Sequence, residues 1–576
     1  MNPAVLSRRE EQLGDSAQMG PRQLSTRTLL ATAFCCLILL FVVYGQSLHF
    51  QFILDAHRFT ADRRIQESGH IWDYFASFVW AQFHGGPPSF YRPVFLLWMR
   101  INFLLSGLSP WGWHLLSITK HALVAALLGV LAWKLLRDSM ATLLAATLFA
   151  LHPAQTESVS WVTVPDPLMS AGMLIALLCY FRCLEPAPVK QHGRAKKSRK
   201  AAPTPDKDAK WFALSVSAYF AALLAKETAI VFPAVIFALS LASTRVKATG
   251  ANRLKTDPGS ASRWAQALAQ TAPFLLVTGL YLLMRLSAFA GKLAAATQQL
   301  PWTTVILSWP SILWFYVKVM FWPGKPHSFA DPILVSRFSI GDVLVPLLGL
   351  ALAAGILAAG LRWILKSAET GLDEQPAARV ESALVVGTLL LTLPLLPALN
   401  LNALNPGDFL HGRYTYLPLA GVTLLVAAGW RMVKRQRMVL LCAACALAVG
   451  LSVLTFEQEK QWNDDASVFA VAHELAPKNV PVARNLADTQ VLAGLRLHEE
   501  GRCGEAMPIF EQVTRDFPED WYAWAGLGDC YVELNDLVRG EDSLHRAVEL
   551  SHDPGLTEHW QELRLHMGLS EHALKK

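Results

Sequence analysis

A carboxylate stands where the first apolar run of this chain meets water. Residues Thr28 to Gly45 carry no charge and are followed by Phe50-Gln51-Phe52-Ile53-Leu54-Asp55-Ala56-His57-Arg58-Phe59. An uncharged run of this kind is long enough for a helix to cross a bilayer. Asp55 then falls at the membrane–water boundary, close to where the reactive end of a lipid-carried substrate would lie. A carboxylate in that place can act as a general base, taking a proton from a hydroxyl as it attacks. It can equally be a polar residue that ends a helix, and the choice between the two rests on the remainder of the chain.

Further ionisable residues collect at the ends of later apolar runs. They are His57, Asp62, His84, Arg92, His152, Glu157, Asp166, Lys226, Glu227, His327, Asp331, Asp408, His411 and Arg413. Each would cost ~2.5–3.5 kcal/mol if fully inserted in lipid, so their convergence on one side calls for a reason. A water-filled cavity facing outward supplies one. No His/Cys/Asp set has metal-ligand spacing, so neither a metal nor another cofactor is expected.

The elements that must position these residues are helices in a membrane. Of 576 residues, 53% are hydrophobic and 17% charged, which excludes an ordinary soluble domain. Charge is divided unevenly: residues 457–576 hold 23 acidic against 11 basic side chains, net −12, leaving the rest at +18. A basic apolar body, 28–456, therefore precedes an acidic soluble tail, 457–576, and nothing in the balance suggests nucleic acid. Cys442-x-x-Cys445 lies in an apolar run and reads as packing. Cys503 and Cys530 form the soluble pair, for which a disulfide is not the favoured reading. The polar stretch 1–27 and the length of the first apolar run predict a retained anchor rather than a cleaved signal.

Crossings are expected near 28–45, 111–133, 139–151, 167–184, 211–225, 228–242, 266–284, 343–361, 382–399, 414–430 and 438–456. The loop 46–110, with Trp72, Tyr74, Phe75, Phe78, Trp80 and Phe83, predicts short amphipathic helices lying aromatic side down on the membrane. Arg8, Arg9, Arg22 and Arg27 favour a cytoplasmic tail at 1–27. The loop 186–210 carries eight Lys/Arg, residues 245–263 five, and Arg431, Lys434, Arg435 and Arg437 form a third cluster. All three clusters face the cytoplasm if 303–322, with Pro310 and Lys318, does not cross. The expected architecture is all-α, with about eleven crossings and an external C-terminal tail. If 303–322 crosses, that tail moves inside.

Trp524-x2-Leu527-Gly528-x2-Tyr531, then Gly540, Leu544 and Ala547, match the 34-residue tetratricopeptide spacing. Gly494, Gly501, Ala506, Phe510 and Pro518 occupy the same places one period earlier. Two to three repeats and a capping helix near Leu556–Leu569 are expected, with large Trp and Tyr packing against small Gly and Ala. Such repeats present a concave docking or peptide-binding surface, or simply stabilise the chain.

A set of ordered motifs resembles one known group. The set comprises Phe50-x-Phe52-x-x-Asp55, Ser89-Phe90-Tyr91-Arg92-Pro93-Val94, Pro110-Trp111-Gly112-Trp113-His114-Leu115 with His121, and His152-Pro153-x-x-Thr156-Glu157-Ser158-Val159-x-Trp161 with Asp166. It continues with Ala225-Lys226-Glu227, Leu396-Pro397 with Asn400, and Gly412-Arg413-Tyr414-x-Tyr416-Leu417-Pro418. Over most of 28–570 the chain resembles GT-C-type membrane glycosyltransferases with C-terminal tetratricopeptide repeats, the transmembrane-and-tetratricopeptide protein O-mannosyltransferases and their bacterial counterparts. The resemblance implies transfer of a sugar, often mannose, from a polyprenyl-phosphate carrier to an acceptor hydroxyl on the external face. Two departures from the family pattern stand out. Asp55-Ala56 replaces a commonly paired acid, and Val164-Pro165-Asp166-Pro167 lacks the Arg usually found before its Asp.

In that setting Asp55 is the expected base. His57, Arg92, His152, Glu157, Asp166, Lys226, Glu227, His411 and Arg413 are expected around the substrates. Arg92, Lys226 and Arg413 suit the departing lipid phosphate, because guanidinium forks and ammonium groups bind phosphate oxygens. Each could instead pair with a neighbouring acid such as Glu227 or Asp408. His152 before Pro153 reads better as a loop cap than as a proton donor, and Glu157 as the residue that orients His152 or the acceptor. Three readings stay open: transfer to Ser/Thr of a protein held by the repeats, transfer to a lipid or envelope glycan, and an inactive docking scaffold. The composition of the basic loops leans towards a bacterial inner membrane.

Overall fold

The computed structural model describes Phe34 and residues 37–82, 90–184, 205–250, 260–289, 299–324, 334–403, 410–433 and 435–569. His84, Ser89, His327, Asp331, Asp408, Lys434, residues 1–33 and most of the basic loop 186–210 lie outside the described residues. The regular elements within them are all helical. They fall into two compact units, one carrying the apolar helices up to Lys460 and one carrying the tail from Gln461.

In the first unit we number the longer helices α1 (Leu37–His49), α2 (Pro93–Ser106), α3 (Pro110–Leu136), α4 (Ser139–Ala150), α5 (Asp166–Cys183) and α6 (Pro205–Ala225). They continue as α7 (Phe232–Gly250), α8 (Ser260–Ala288), α9 (Trp302–Phe321), α10 (Val345–Gly371), α11 (Glu374–Thr392), α12 (Tyr416–Met432) and α13 (Arg437–Glu459). Among the described residues, seven of the helical stretches are long and apolar enough to cross a membrane. A helix satisfies its own backbone hydrogen bonds, which is what a lipid interior demands. The chain is a multi-pass membrane protein.

Helix starts are legible in the sequence. Pro93 and Pro110 open α2 and α3, where a missing N–H costs nothing. Asp138 caps α4 by accepting from the Ala141 N–H at 2.9 Å. Small residues then let helices approach. A Cβ on Gly172 of α5 would lie 2.9 Å from Ala222 of α6, and one on Gly421 of α12 would lie 2.5 Å from the Gly387 carbonyl of α11.

The expected crossings from 111–133 onward each coincide with an observed helix, although the ends differ. Two helices bear on the expected count of eleven. Segment 303–322, placed outside the bilayer by the charge argument, forms the continuous 20-residue α9 through Pro310, long and apolar enough to span. Within the loop 46–110, α2 is an apolar helix of 14 residues. The rest of that loop forms short helices (Ala56–Ala61, Arg63–Gln66, Ile71–Ala76); Trp72 is exposed, while other rings turn inward. Phe59, Tyr74, Phe95 and Trp113 are buried together, with Phe75 and Trp80 packed on them. Ala56 lies in the same cluster with no exposure. A second acid at that position would be buried among aromatic rings, which is the physical reason an unpaired acid suits this loop. Cys442 and Cys445, expected in packing, are exposed on α13, on a face that lipid would cover.

The second unit is a run of antiparallel helices: α14 (Asp465–Leu475), α15 (Val480–Glu499), α16 (Cys503–Asp516), α17 (Trp521–Glu533), α18 (Leu537–Ser551) and α19 (Pro554–His566). Glycines set the packing, but the large partners differ from those expected. Phe510 faces both Gly494 and Gly526, and Leu544 faces Gly528. Trp524 and Tyr531 are not the residues that fill these hollows; Trp524 donates from its indole to the Pro518 carbonyl at 2.9 Å.

Candidate active site

Asp55 follows Leu54, which is held at φ 54°, a left-handed conformation rare outside glycine. That turn presents the Asp55 carboxylate to the segment Trp161–Thr163. Its Oδ1 accepts from the Trp161 indole N–H at 2.7 Å and from the Thr163 hydroxyl. The ring of Trp161 also carries Arg413, whose guanidinium carbon sits 4.6 Å from the ring centroid. Burial raises the Asp55 carboxyl above the usual Asp range. The hydrogen bonds from Thr163 and Trp161 and the charges of Arg413 and Arg92 lower it by less.

Around Asp55 lie three ion pairs, each joining residues distant in sequence. Arg92, extended before Pro93 at the start of α2, grips Glu227 with both arms, Nε at 2.8 Å and Nη2 at 2.5 Å. Burial pushes Glu227 upward, but Arg92 overcomes it and holds that carboxyl at about 2. Lys226, in the break between α6 and α7, places Nζ 2.6 and 2.7 Å from the two oxygens of Asp166 at the start of α5. Burial lowers the Lys226 ammonium below the usual Lys range by more than Asp166 restores.

The third pair involves Glu157, on a short helix Thr156–Ser160. His411 Nδ1 is 2.8 Å from Glu157 Oε1, and Arg413 Nη1 lies 3.4 Å from the same oxygen. The Arg413 backbone N–H donates to Glu157 Oε2 at 3.1 Å. Gly412 leaves the room for this, since a Cβ there would stand 3.2 Å from Oε2. Burial works to raise Glu157, but the charges of His411 and Arg413 win and its carboxyl sits below the usual range.

Of the expected site residues, Asp55, Arg92, Glu157, Asp166, Lys226, Glu227, His411 and Arg413 thus form one electrostatically linked group. Two do not belong to it in the expected way. His57 is exposed on the short helix after Asp55. His152, expected beside the substrate, has its Nδ1 accepting from the Ala154 N–H at 3.2 Å and its Nε2 3.0 Å from the Met320 carbonyl. It caps its loop, and Glu157 holds His411 and Arg413. Asp62 belongs to a separate buried pair with Arg64 at 2.7 Å.

Sequence reasoning missed Trp161 and Thr163 as partners of the acid. It also missed Lys120, a buried lysine on α3 whose Nζ lies 3.4 Å from the Val164 carbonyl. An ammonium inside an otherwise apolar span was the available signal. Glu459 was counted with the acidic tail. It is fully buried at the end of α13, accepting from Gln46 Nε2 at 3.0 Å and Ser160 Oγ at 2.9 Å. An apolar cavity of about 160 Å³, lined by Met140, Leu144, Trp430, Leu441 and Cys445, lies among α4, α12 and α13. It is not the polar, outward-facing cavity that the charge pattern predicts.

Comparison with known proteins gives first a class and then particular relatives. Residues 497–564 match the tetratricopeptide-repeat family model, so the tail is a repeat domain of that class. The chain is similar to human protein O-mannosyl-transferase TMTC3, with 23% identity over 483 residues, 80% of this chain and 48% of the relative. It is also similar to the Drosophila melanogaster protein O-mannosyl-transferase Tmtc1, with 26% identity over 517 residues, 77% of this chain and 57% of the relative. The resemblance drawn from the motifs is borne out. The chain spans about half the length of the curated relatives it matches. Among solved structures, ArnT from Cupriavidus metallidurans bound to undecaprenyl phosphate is similar over 90% of this chain and 80% of its own, at 13% identity and a TM-score of 0.36. An Archaeoglobus fulgidus oligosaccharyltransferase covers 80% and 60%, at 12% identity and a TM-score of 0.36.

Proposed function

We propose that the membrane unit transfers a sugar, commonly mannose, from a polyprenyl-phosphate carrier to an acceptor hydroxyl, with inversion and with Asp55 as general base. The observation that carries this reading is the placement of Asp55. It is a carboxyl raised by burial, fixed by Trp161 and Thr163, within electrostatic reach of Arg92 and Arg413. The relatives named as O-mannosyltransferases support the same class of reaction.

In the reaction the acceptor oxygen attacks C1 of the sugar while Asp55 takes its proton. The C1–O bond to the lipid phosphate breaks, and the phosphate leaves with the electron pair. A base poised above the usual Asp range suits proton abstraction better than a fully solvated one. Arg413, Arg92 and Lys226 supply the cations for the leaving phosphate, with Asp166, Glu157 and Glu227 holding them until it arrives. His411 is held against Glu157, and His57 is exposed where an acceptor chain can meet it.

The preferred acceptor is a Ser or Thr of a protein held by the repeats, on the external side of a bacterial inner membrane, and the preferred site uses no metal. The experiment uses proteoliposomes supplied with radiolabelled polyprenyl-phosphate mannose and a peptide acceptor. Label appearing on the peptide with wild type and not with Asp55→Asn supports the reading. Label appearing only in lipid or glycan defeats the protein-acceptor version, and equal label in both proteins removes Asp55 as the base.

A further inference from the structure

Four metal-capable side chains meet in the repeat domain, as two sequence-local pairs from three helices. His498 comes from the last turn of α15, Cys503 opens α16, and Cys530 and Glu533 lie one turn apart on α17. The donor atoms of His498, Cys503 and Cys530 all lie within 4.8 Å of one another. Glu533 closes the group. Its Oε1 is 3.0 Å from His498 Nε2, and its Oε2 accepts from the Cys503 thiol at 3.1 Å.

We propose that His498, Cys503, Cys530 and Glu533 form a tetrahedral zinc site that clamps successive repeats of the tail. The donor set is two sulfurs, one imidazole and one carboxylate, which favours a borderline-soft divalent ion over a hard one. The contacts that Glu533 makes to His498 and Cys503 are close to the right size. Zinc bonds of about 2.0–2.3 Å at the tetrahedral angle place donor atoms roughly 3.3–3.8 Å apart, a few tenths of an ångström wider than the two Glu533 contacts. Local structure also prepares the group. Gly501, at φ 72°, turns the chain between α15 and α16 so that His498 and Cys503 face the same point. Cys530 and Glu533, three residues apart, share one face of α17.

Burial is uneven in the manner of a site with an entry path. Cys503 and Cys530 are buried, whereas the Glu533 side chain is 47% exposed and that of His498 23%. On binding, each cysteine S–H bond is replaced by an S–Zn bond and its proton passes to solvent, so uptake releases protons. The spacing escapes sequence reading because His498-x4-Cys503 and Cys530-x2-Glu533 are brought together only by the packing of α15 to α17. The repeat motif accounts for the glycines and large apolar residues here, but not for this donor set.

The test uses the full chain in detergent, reduced with a phosphine and stripped with a chelator, then titrated with Co²⁺ alone. One equivalent of Co²⁺ with a thiolate-to-cobalt absorption band, bleached by added Zn²⁺, is the expected result. Cys503→Ser and Cys530→Ser each abolish the band. Glu533→Gln, at a half-exposed position that leaves helix content unchanged by circular dichroism, keeps a thiolate band but weakens Co²⁺ by at least about tenfold. No thiolate band in reduced wild type, or a band that survives both cysteine substitutions, overturns the proposal. So does a Cys503–Cys530 disulfide in the isolated protein that, once reduced, takes up no Co²⁺.

Discussion

Trp161 donates its indole N–H to Asp55 at 2.7 Å while its ring face carries Arg413 at 4.6 Å from the centroid. One side chain thus positions both the acid and a cation beside it. Replacing Asp55 by Asn preserves this geometry but removes the base that the proposed reaction needs. Sugar transfer is expected to fall ~10²–10⁴-fold, with the thermal unfolding midpoint in detergent little changed. Initial rates in proteoliposomes, read beside a melting curve, check this.

The raised Asp55 carboxyl gives a pH signature. As the proposed base, Asp55 would work only when ionised, so activity should fall as pH drops through a value above the ordinary Asp range of about 3.9. Thr163→Val removes the hydrogen bond that does most to lower that value. The acid limb of the kcat/KM profile should move to higher pH. A limb that stays in place or moves down means Asp55 does not set it.

Arg92 and Glu227 are a partly buried bidentate pair, and removing one partner leaves the other uncompensated. Glu227→Gln or Arg92→Ala should each destabilise the membrane unit by about 1–3 kcal/mol, and the double variant by less than their sum. The carboxyl of Glu227, held at about 2 in the fold against an ordinary 4.5, contributes stability that is fully present above 4.5. That contribution is lost as pH falls from about 4.5 through about 2, and Glu227→Gln should flatten this part of a melting-point-against-pH curve. Arg92→Lys keeps the charge but not the fork, and should lose most of the pairing.

In the tail, a Cβ on Gly526 would lie 2.4 Å from Phe510. Gly526→Ala should cost about 1–3 kcal/mol through overpacking and leave the membrane unit intact. Limited proteolysis, with cleavage in the tail accelerated and the membrane body still protected, reads this directly.

Orientation has its own test. With α9 outside the bilayer, the repeats stand on the external side; with α9 spanning, they stand inside. Protease protection in sealed right-side-out vesicles, with an epitope on the tail, should show the tail protected if α9 spans, as its length and composition allow, and accessible from outside if it does not.

Most helices were legible because an apolar run of bilayer length bounded by charge has few other physical solutions, as Pro110–Leu136 and Asp166–Cys183 illustrate. The repeats were legible because Gly528 and Gly540 leave room for side chains on the facing helix. What escaped was contact between distant residues. That Arg92 would take Glu227, 135 positions away, and that Trp161 would hold Asp55 depend on how loops fold over helix ends. Lys120 escaped for another reason: one mid-helix ammonium is diluted when a 27-residue helix is judged by its average composition. The aromatic loop was legible only in part, because rings that could lie on lipid can equally pack on one another: Trp72 is exposed, whereas Tyr74 is buried with Phe59, Phe95 and Trp113.

The ion pairs also determine how a charged ligand enters and leaves. Arg92, Lys226 and Arg413 each rest against a carboxylate, so under the proposed reaction an arriving phosphate would exchange one anionic neighbour for another. Its net attraction would be a small difference between two similar ones, and a spent carrier would return to the bilayer without being trapped. The resident acids act as competitors built into the chain, favouring rapid turnover over tight grip.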